Sequence, residues 1–172
     1  MRNSLVVLIL CLMSQGALAD VVAAGSGGFS LRIETASKAS VDESYDAFLE
    51  IGRWWDPAHS YSGDAANMSL DISPGGAFLE KLDSGGFVKH LELVYLNPGK
   101  EIRFLGGLGP LQPMGLHGAM TVQFEATDSG SKTIMLYNVS GFSAQGLEML
   151  APIVDKVQAG QMARHAAYAE SR

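Results

Sequence analysis

The sequence predicts an α+β fold in which an antiparallel meander of about seven strands is followed by one long helix. Four observations carry this. Short segments at 68–73, 77–82, 87–96, 101–106, 118–127 and 131–140 are rich in alternating apolar, aromatic or β-branched residues. The turn signals Pro74-Gly75-Gly76, Asp83-Ser84-Gly85-Gly86, Asn97-Pro98-Gly99-Lys100 and Asp128-Ser129-Gly130 lie between them. No helix-length segment interrupts the series, which excludes a parallel βαβ sheet. Finally, Leu150, Ile153, Val154, Val157, Gln161, Arg164 and Tyr168 recur at spacings of three and four, the period of a helix.

The elements can be justified in chain order. Arg2, the apolar run Leu5 to Met13 and the small-x-small tripeptide Ala17-Leu18-Ala19 form a secretory signal peptide over 1–19, with cleavage expected after Ala19. The apolar run has nine residues, against roughly 20 needed to span a bilayer. Residues 20–27 are small and read as a flexible linker, and 28–172 as a single domain. Phe29, Leu31 and Ile33 alternate with polar residues as the first strand. Ser40-Val41-Asp42-Glu43 is a capping box opening a helix that Gly52 is expected to end. Asp56-Pro57 restarts a second short helix, with Asp56 as N-cap. In the C-terminal helix Pro152 fits the first turn. Gly160 either marks close packing or a bend, or is simply tolerated.

Composition excludes several functions. The 172 residues carry a formal charge of -6, so a basic nucleic-acid groove is not expected. The only cysteine, Cys11, lies in the signal segment, so the mature chain has neither a disulfide nor a thiol nucleophile. No Gly-x-Ser-x-Gly elbow occurs. The four histidines show no metal-ligand spacing. Gly106-Gly107-Leu108-Gly109 lacks the third glycine and the following helix of a dinucleotide site. No cofactor and no metal are expected, nor stable membrane insertion once the signal is removed.

The segment from Tyr45 to Ser62, with Trp54-Trp55 between two short helices, and the loop Gly106 to Leu111 are similar to the START-like, birch-pollen-allergen-like superfamily, also called SRPBCC. The resemblance covers roughly residues 28–170. Within that superfamily the chain looks like an exported member of the polyketide cyclase and heat-shock-ATPase-activator branch. The resemblance implies a helix-grip fold, a curved sheet wrapped around the C-terminal helix, with an apolar ligand cavity between them. Fold alone does not fix activity.

Candidate ligand-binding residues are Trp54, Trp55, His59, Tyr61, Phe78, Phe87, Tyr95, Phe104, Met120 and Tyr137. Adjacent in sequence, Trp54 and Trp55 diverge, so one can pack in the core while the other faces a cavity mouth; both also suit a purely structural anchor. The strand aromatics and Met120 share the apolar parity of their strands, which fits ordinary core as well as a cavity wall. Candidate catalytic residues are His59, His117 and Asp56, although Asp56 reads first as a helix cap. His90 has the parity of Glu92 and is expected to form a surface pair with it. His165 is expected to be exposed. The loop carrying Leu108, Leu111, Met114 and Leu116 has no charge and is expected to pack over an entrance.

These readings converge on an exported protein, periplasmic or secreted, that holds a small hydrophobic molecule such as a lipid, a polyketide or an aromatic compound. The alternatives are a polyketide cyclase or dehydrase-like enzyme with a histidine base, and a protein-interaction module resembling the heat-shock-ATPase activators.

Overall fold

A computed structural model describes residues 18–172. The signal-peptide reading of residues 1–17 lies outside the described residues. Eight strands form one curved, open, wholly antiparallel sheet: β1 (Leu18–Gly25), β2 (Gly28–Ser37), β3 (Met68–Leu70), β4 (Ala77–Lys81), β5 (Phe87–Asn97), β6 (Glu101–Leu105), β7 (His117–Thr127) and β8 (Gly130–Ser140). Their order across the sheet is β1-β2-β8-β7-β6-β5-β4-β3. Three helices complete the fold: α1 (Val41–Leu49), α2 (Ile51–Trp54) and α3 (Ala151–Ser171). The long α3 packs on β1 and β2, and α1 packs on α3, β7 and β8.

The strand beyond the seven expected is β1, which includes most of the segment expected as a linker. Residues 20–27 belong to a hairpin in which Gly25 pairs with Gly28 across the two-residue turn Ser26-Gly27. Small side chains there do not signal mobility. Gly28, which opens β2, abuts the Val139 carbonyl of β8, leaving no room for a β-carbon.

The capping box forms as expected, with Ser40 accepting from the Glu43 amide and the Glu43 carboxylate from the Ser40 amide. Gly52, however, does not end the helix. α1 stops at Leu49, and α2 runs through Gly52. A β-carbon at Gly52 would come within 2.8 Å of the Met68 carbonyl oxygen, so the glycine permits α2 to press against the start of β3. Asp56 caps a 3-10 turn at Pro57–His59, its carboxylate accepting from the Ala58 amide at 3.0 Å.

The inner face of the sheet holds Phe29, Leu31, Ile33, Phe78, Leu91, Leu93, Phe104, Met120, Val122 and Tyr137, all buried. Phe87 and Tyr95 are not among them. Phe87 is 71% exposed and Tyr95 41% exposed, with the Arg103 guanidinium 4.4 Å above the Tyr95 ring. Two bulges in β5 explain the difference. Between the Phe78–Leu91 and Leu79–Lys89 pairs β5 carries one extra residue, His90. Between the Leu93–Phe104 and Tyr95–Arg103 pairs it carries another, Val94. Each extra residue inverts the inside–outside alternation beyond it.

The helix face gripped by the sheet overlaps the expected one in part: Gln161 is buried, and Leu150, Val154 and Tyr168 pack half-buried against the core. Ala151, Gln158, Gln161, Met162, His165, Ala166 and Ala169 point inward, whereas Ile153 is exposed. His165, expected on the surface, is buried among Phe48, Trp54 and Phe124, with its Nε2 2.9 Å from the Ser44 carbonyl oxygen. Burial pulls its pKa down to about 4. Gly160 faces open space, so neither close packing nor a contact explains it.

Candidate functional site

The space between sheet and helix is almost filled. Trp54, Trp55, Phe78, Phe104, Met120 and Gln158 are among the side chains around a residual void of about 20 Å³, which is room for about one water molecule. The accessible pocket lies above it, at the mouth, with a volume of about 470 Å³. Three segments enclose it: residues 58–61, the loop 108–111, and α3 from Ile153 to Gln158. Trp55 and Gln158 line both spaces, so they form the partition between them.

Each wall is held by identifiable bonds. On the first, the Trp55 indole N–H donates to the His59 carbonyl at 3.0 Å, and the Asp56 amide donates to Gln161 Oε1 at 2.9 Å. Arg164 adds a bond from its Nε to the Trp54 carbonyl at 2.8 Å. The segment after the tryptophans is therefore tied to α3. On the second wall, Leu108 and Leu111 are buried, as an entrance-covering loop requires, while Met114 stays exposed. Tyr137 anchors this loop: its hydroxyl accepts from the Leu108 amide at 3.0 Å and donates to the Gly106 carbonyl at 3.1 Å. Burial pushes the Tyr137 phenol up to about 12, so it remains protonated and able to donate. Tyr137 thus shapes the pocket from behind. Gly118 makes room for its ring, since a β-carbon there would collide with it.

The polar floor comes from β4 and β5. Glu80 shares the inward parity of Phe78 and is fully buried. The β5 bulge turns His90 inward to meet it, with His90 Nε2 2.9 Å from Glu80 Oε2. The other Glu80 oxygen accepts from the Ser62 amide at 2.5 Å. Burial pushes the Glu80 carboxyl up, but hydrogen bonds from Ser62, the Tyr61 amide and His90 outweigh it and leave the group below its ordinary range. Burial likewise pulls His90 down, and the opposing pull of Glu80 does not restore it. Glu80 is therefore ionised and acceptor-only, and His90 is neutral. The shared proton must sit on His90 Nε2, which leaves Nδ1 as a bare acceptor. That Nδ1 has no partner, and neither has Gln158 Oε1. Both side chains are 3% exposed. The His90 ring is faced by Phe78 with centroids 4.6 Å apart and by Tyr61 at 5.9 Å.

The sequence candidates therefore separate. Trp55, His59 and Tyr61 line the mouth pocket, His59 and Tyr61 on its exposed rim. Trp54, Phe78, Phe104 and Met120 surround the residual void. Tyr137 is a loop anchor, Asp56 a cap, and Phe87 and Tyr95 lie on the outer face. His117 also faces outward, in a shallow open groove with Ala119, Asn138 and Ser140, away from His59. His90 pairs with Glu80 and not with Glu92, which bonds Lys89. The residues missed are Glu80, His90 and Gln158. The parity of Phe78 already placed Glu80 on the inner face, where a carboxylate demands a partner. Among the described residues no group of three His, Cys, Asp or Glu side chains is placed to hold a metal, and no helix is long and apolar enough to cross a membrane.

Fold and site together define a helix-grip protein with one apolar mouth pocket over a buried histidine–carboxylate pair. No protein-family model matches the chain, and no curated protein matches its sequence. Solved structures do match in fold. A Rhizobium loti protein is 20% identical with a TM-score of 0.59, over 89% of this chain and 99% of its own. An uncharacterized protein from Rhizobium leguminosarum is 18% identical with a TM-score of 0.57, over 91% and 99%. The di-domain ARO/CYC StfQ of the steffimycin biosynthetic pathway is 15% identical with a TM-score of 0.57; it is covered over 52% of its length by 87% of this chain. This chain thus spans about half of StfQ.

Proposed function

We propose that the protein binds one small, largely apolar molecule in the mouth pocket, and that it does so outside the cytoplasm after removal of residues 1–19. The observation that carries the binding reading is a pocket of about 470 Å³ with apolar walls and two buried acceptors without partners, the pattern of a ligand site. The export reading rests on the signal-like pattern of the first nineteen residues. Nile red, a neutral apolar dye, tests the binding reading. Its fluorescence should rise with the wild-type protein and stay flat with Val157→Trp, whose indole fills the pocket from α3. Equal response from a folded Val157→Trp variant would overturn the assignment.

A second reading is proton-transfer catalysis on the bound molecule. The buried Glu80–His90 pair favours it, because a carboxylate that fixes the histidine tautomer presents the other nitrogen as a base. The likeness to StfQ is in keeping with it. The base moves from the expected His59 or His117 to His90: among the described residues neither of the former has a carboxylate partner, and His117 lies on the other face.

A further inference from the structure

Resting on the binding reading above, one property of the floor narrows the ligand class. His90 Nδ1 and Gln158 Oε1 are acceptors without partners on side chains that line the same pocket. No Lys, Arg, Asp or Glu lines it. The charge behind the floor is negative, that of the Glu80 carboxylate bonded to His90. Both atoms are shut off from solvent, so in the free protein the two acceptors stand buried and unpaired. A ligand that brings a donor to either one makes the hydrogen bond that the protein leaves unmade, and a ligand without a donor does not.

We propose that the pocket selects uncharged molecules with a flat apolar body and a hydroxyl group at the buried end, the hydroxyl donating to His90 Nδ1 or Gln158 Oε1. The aromatic faces of Trp55 and Tyr61 take the body. Carboxylates are refused on two counts. They carry no donor when ionised, and they bring a second negative charge towards Glu80 with no cation in the lining. Free fatty acids therefore fall outside the class, and phenols and polycyclic alcohols fall inside it.

Four ligands of one shape test this on the wild-type protein: naphthalene, 2-naphthol, 2-methoxynaphthalene and 2-naphthoate, measured by equilibrium dialysis near neutral pH. The expected order places 2-naphthol roughly tenfold tighter than naphthalene, the ratio that one net hydrogen bond supplies. The methyl ether, which keeps the oxygen and loses the donor, should bind no better than naphthalene, and the carboxylate should bind most weakly. Naphthalene binding with no gain for 2-naphthol, or a methyl ether as tight as the naphthol, overturns the donor requirement and leaves the pocket reading standing. A carboxylate that binds tightest overturns the exclusion of anions. If none of the four binds, the pocket reading falls and this inference falls with it.

Discussion

His165 shows how a single residue couples this fold to pH. Its folded pKa of about 4 lies below the ordinary 6.5 because burial disfavours the charged ring. The unfolded chain therefore binds the proton more tightly. Stability is whole above about pH 6.5 and is lost as pH falls towards 4, by an amount on the order of 3 kcal/mol at the acid limit. His90, also held low by burial, adds a contribution of the same sign. Urea midpoints measured at about pH 7 and pH 5 should therefore drop steeply for the wild type and less for His165→Leu; equal slopes would show that His165 is not the titrating group. Tyr137 makes a different kind of contribution. Tyr137→Phe leaves the buried Leu108 amide without its bond and should cost about 1–3 kcal/mol. The same change should raise hydrogen exchange in residues 106–111 while leaving β7 and β8 protected.

At the scale of elements, α3 offers a simple check. Gly160 sits mid-helix with nothing near the position a β-carbon would take. Gly160→Ala should stabilise the protein by up to about 1 kcal/mol, read as a higher urea midpoint with unchanged slope. β5 shows where the sequence stops being legible. Its existence, its span to within one residue and its antiparallel neighbours follow from apolar alternation and from the Asp-Ser-Gly-Gly and Asn-Pro-Gly-Lys turns. Its faces do not, because alternation assumes an unbroken register and β5 breaks its register twice. Phe87 was expected inside for that reason, and Phe87→Lys should change stability by no more than about 0.5 kcal/mol. The same bulge hid the site: with an unbroken register His90 points to solvent beside Glu92, and only the extra residue brings it to Glu80. α3 misled for a related reason. The expected stripe holds Gln161 and the core-packed Leu150, Val154 and Tyr168, but the gripped face is completed by Gln158 and His165, whose polarity hides them from an apolar pattern. What was legible near the site was local, namely the capping box, the Asp56 cap and the uncharged loop whose Leu108 and Leu111 line the mouth pocket.

Between sheet and helix the described residues form a nearly solid core with an open room at its mouth. The resemblance seen in the sequence implies a hollow between sheet and helix. The tryptophans, Phe78, Phe104 and Met120 fill most of that volume instead. Trp55 and Gln158 line both the room and the small void beneath it. That partition sets a limit on length. A molecule short enough to stay in the upper room leaves the core untouched. A longer one meets the indole and the amide with room for about one water molecule behind them, so its surplus must stay in solvent. In a series of straight-chain alcohols, affinity should therefore rise with length only until the room is full and then level off. Trp55→Ala, which opens the floor, should move that limit to longer members; an unchanged limit would show that the floor is set elsewhere.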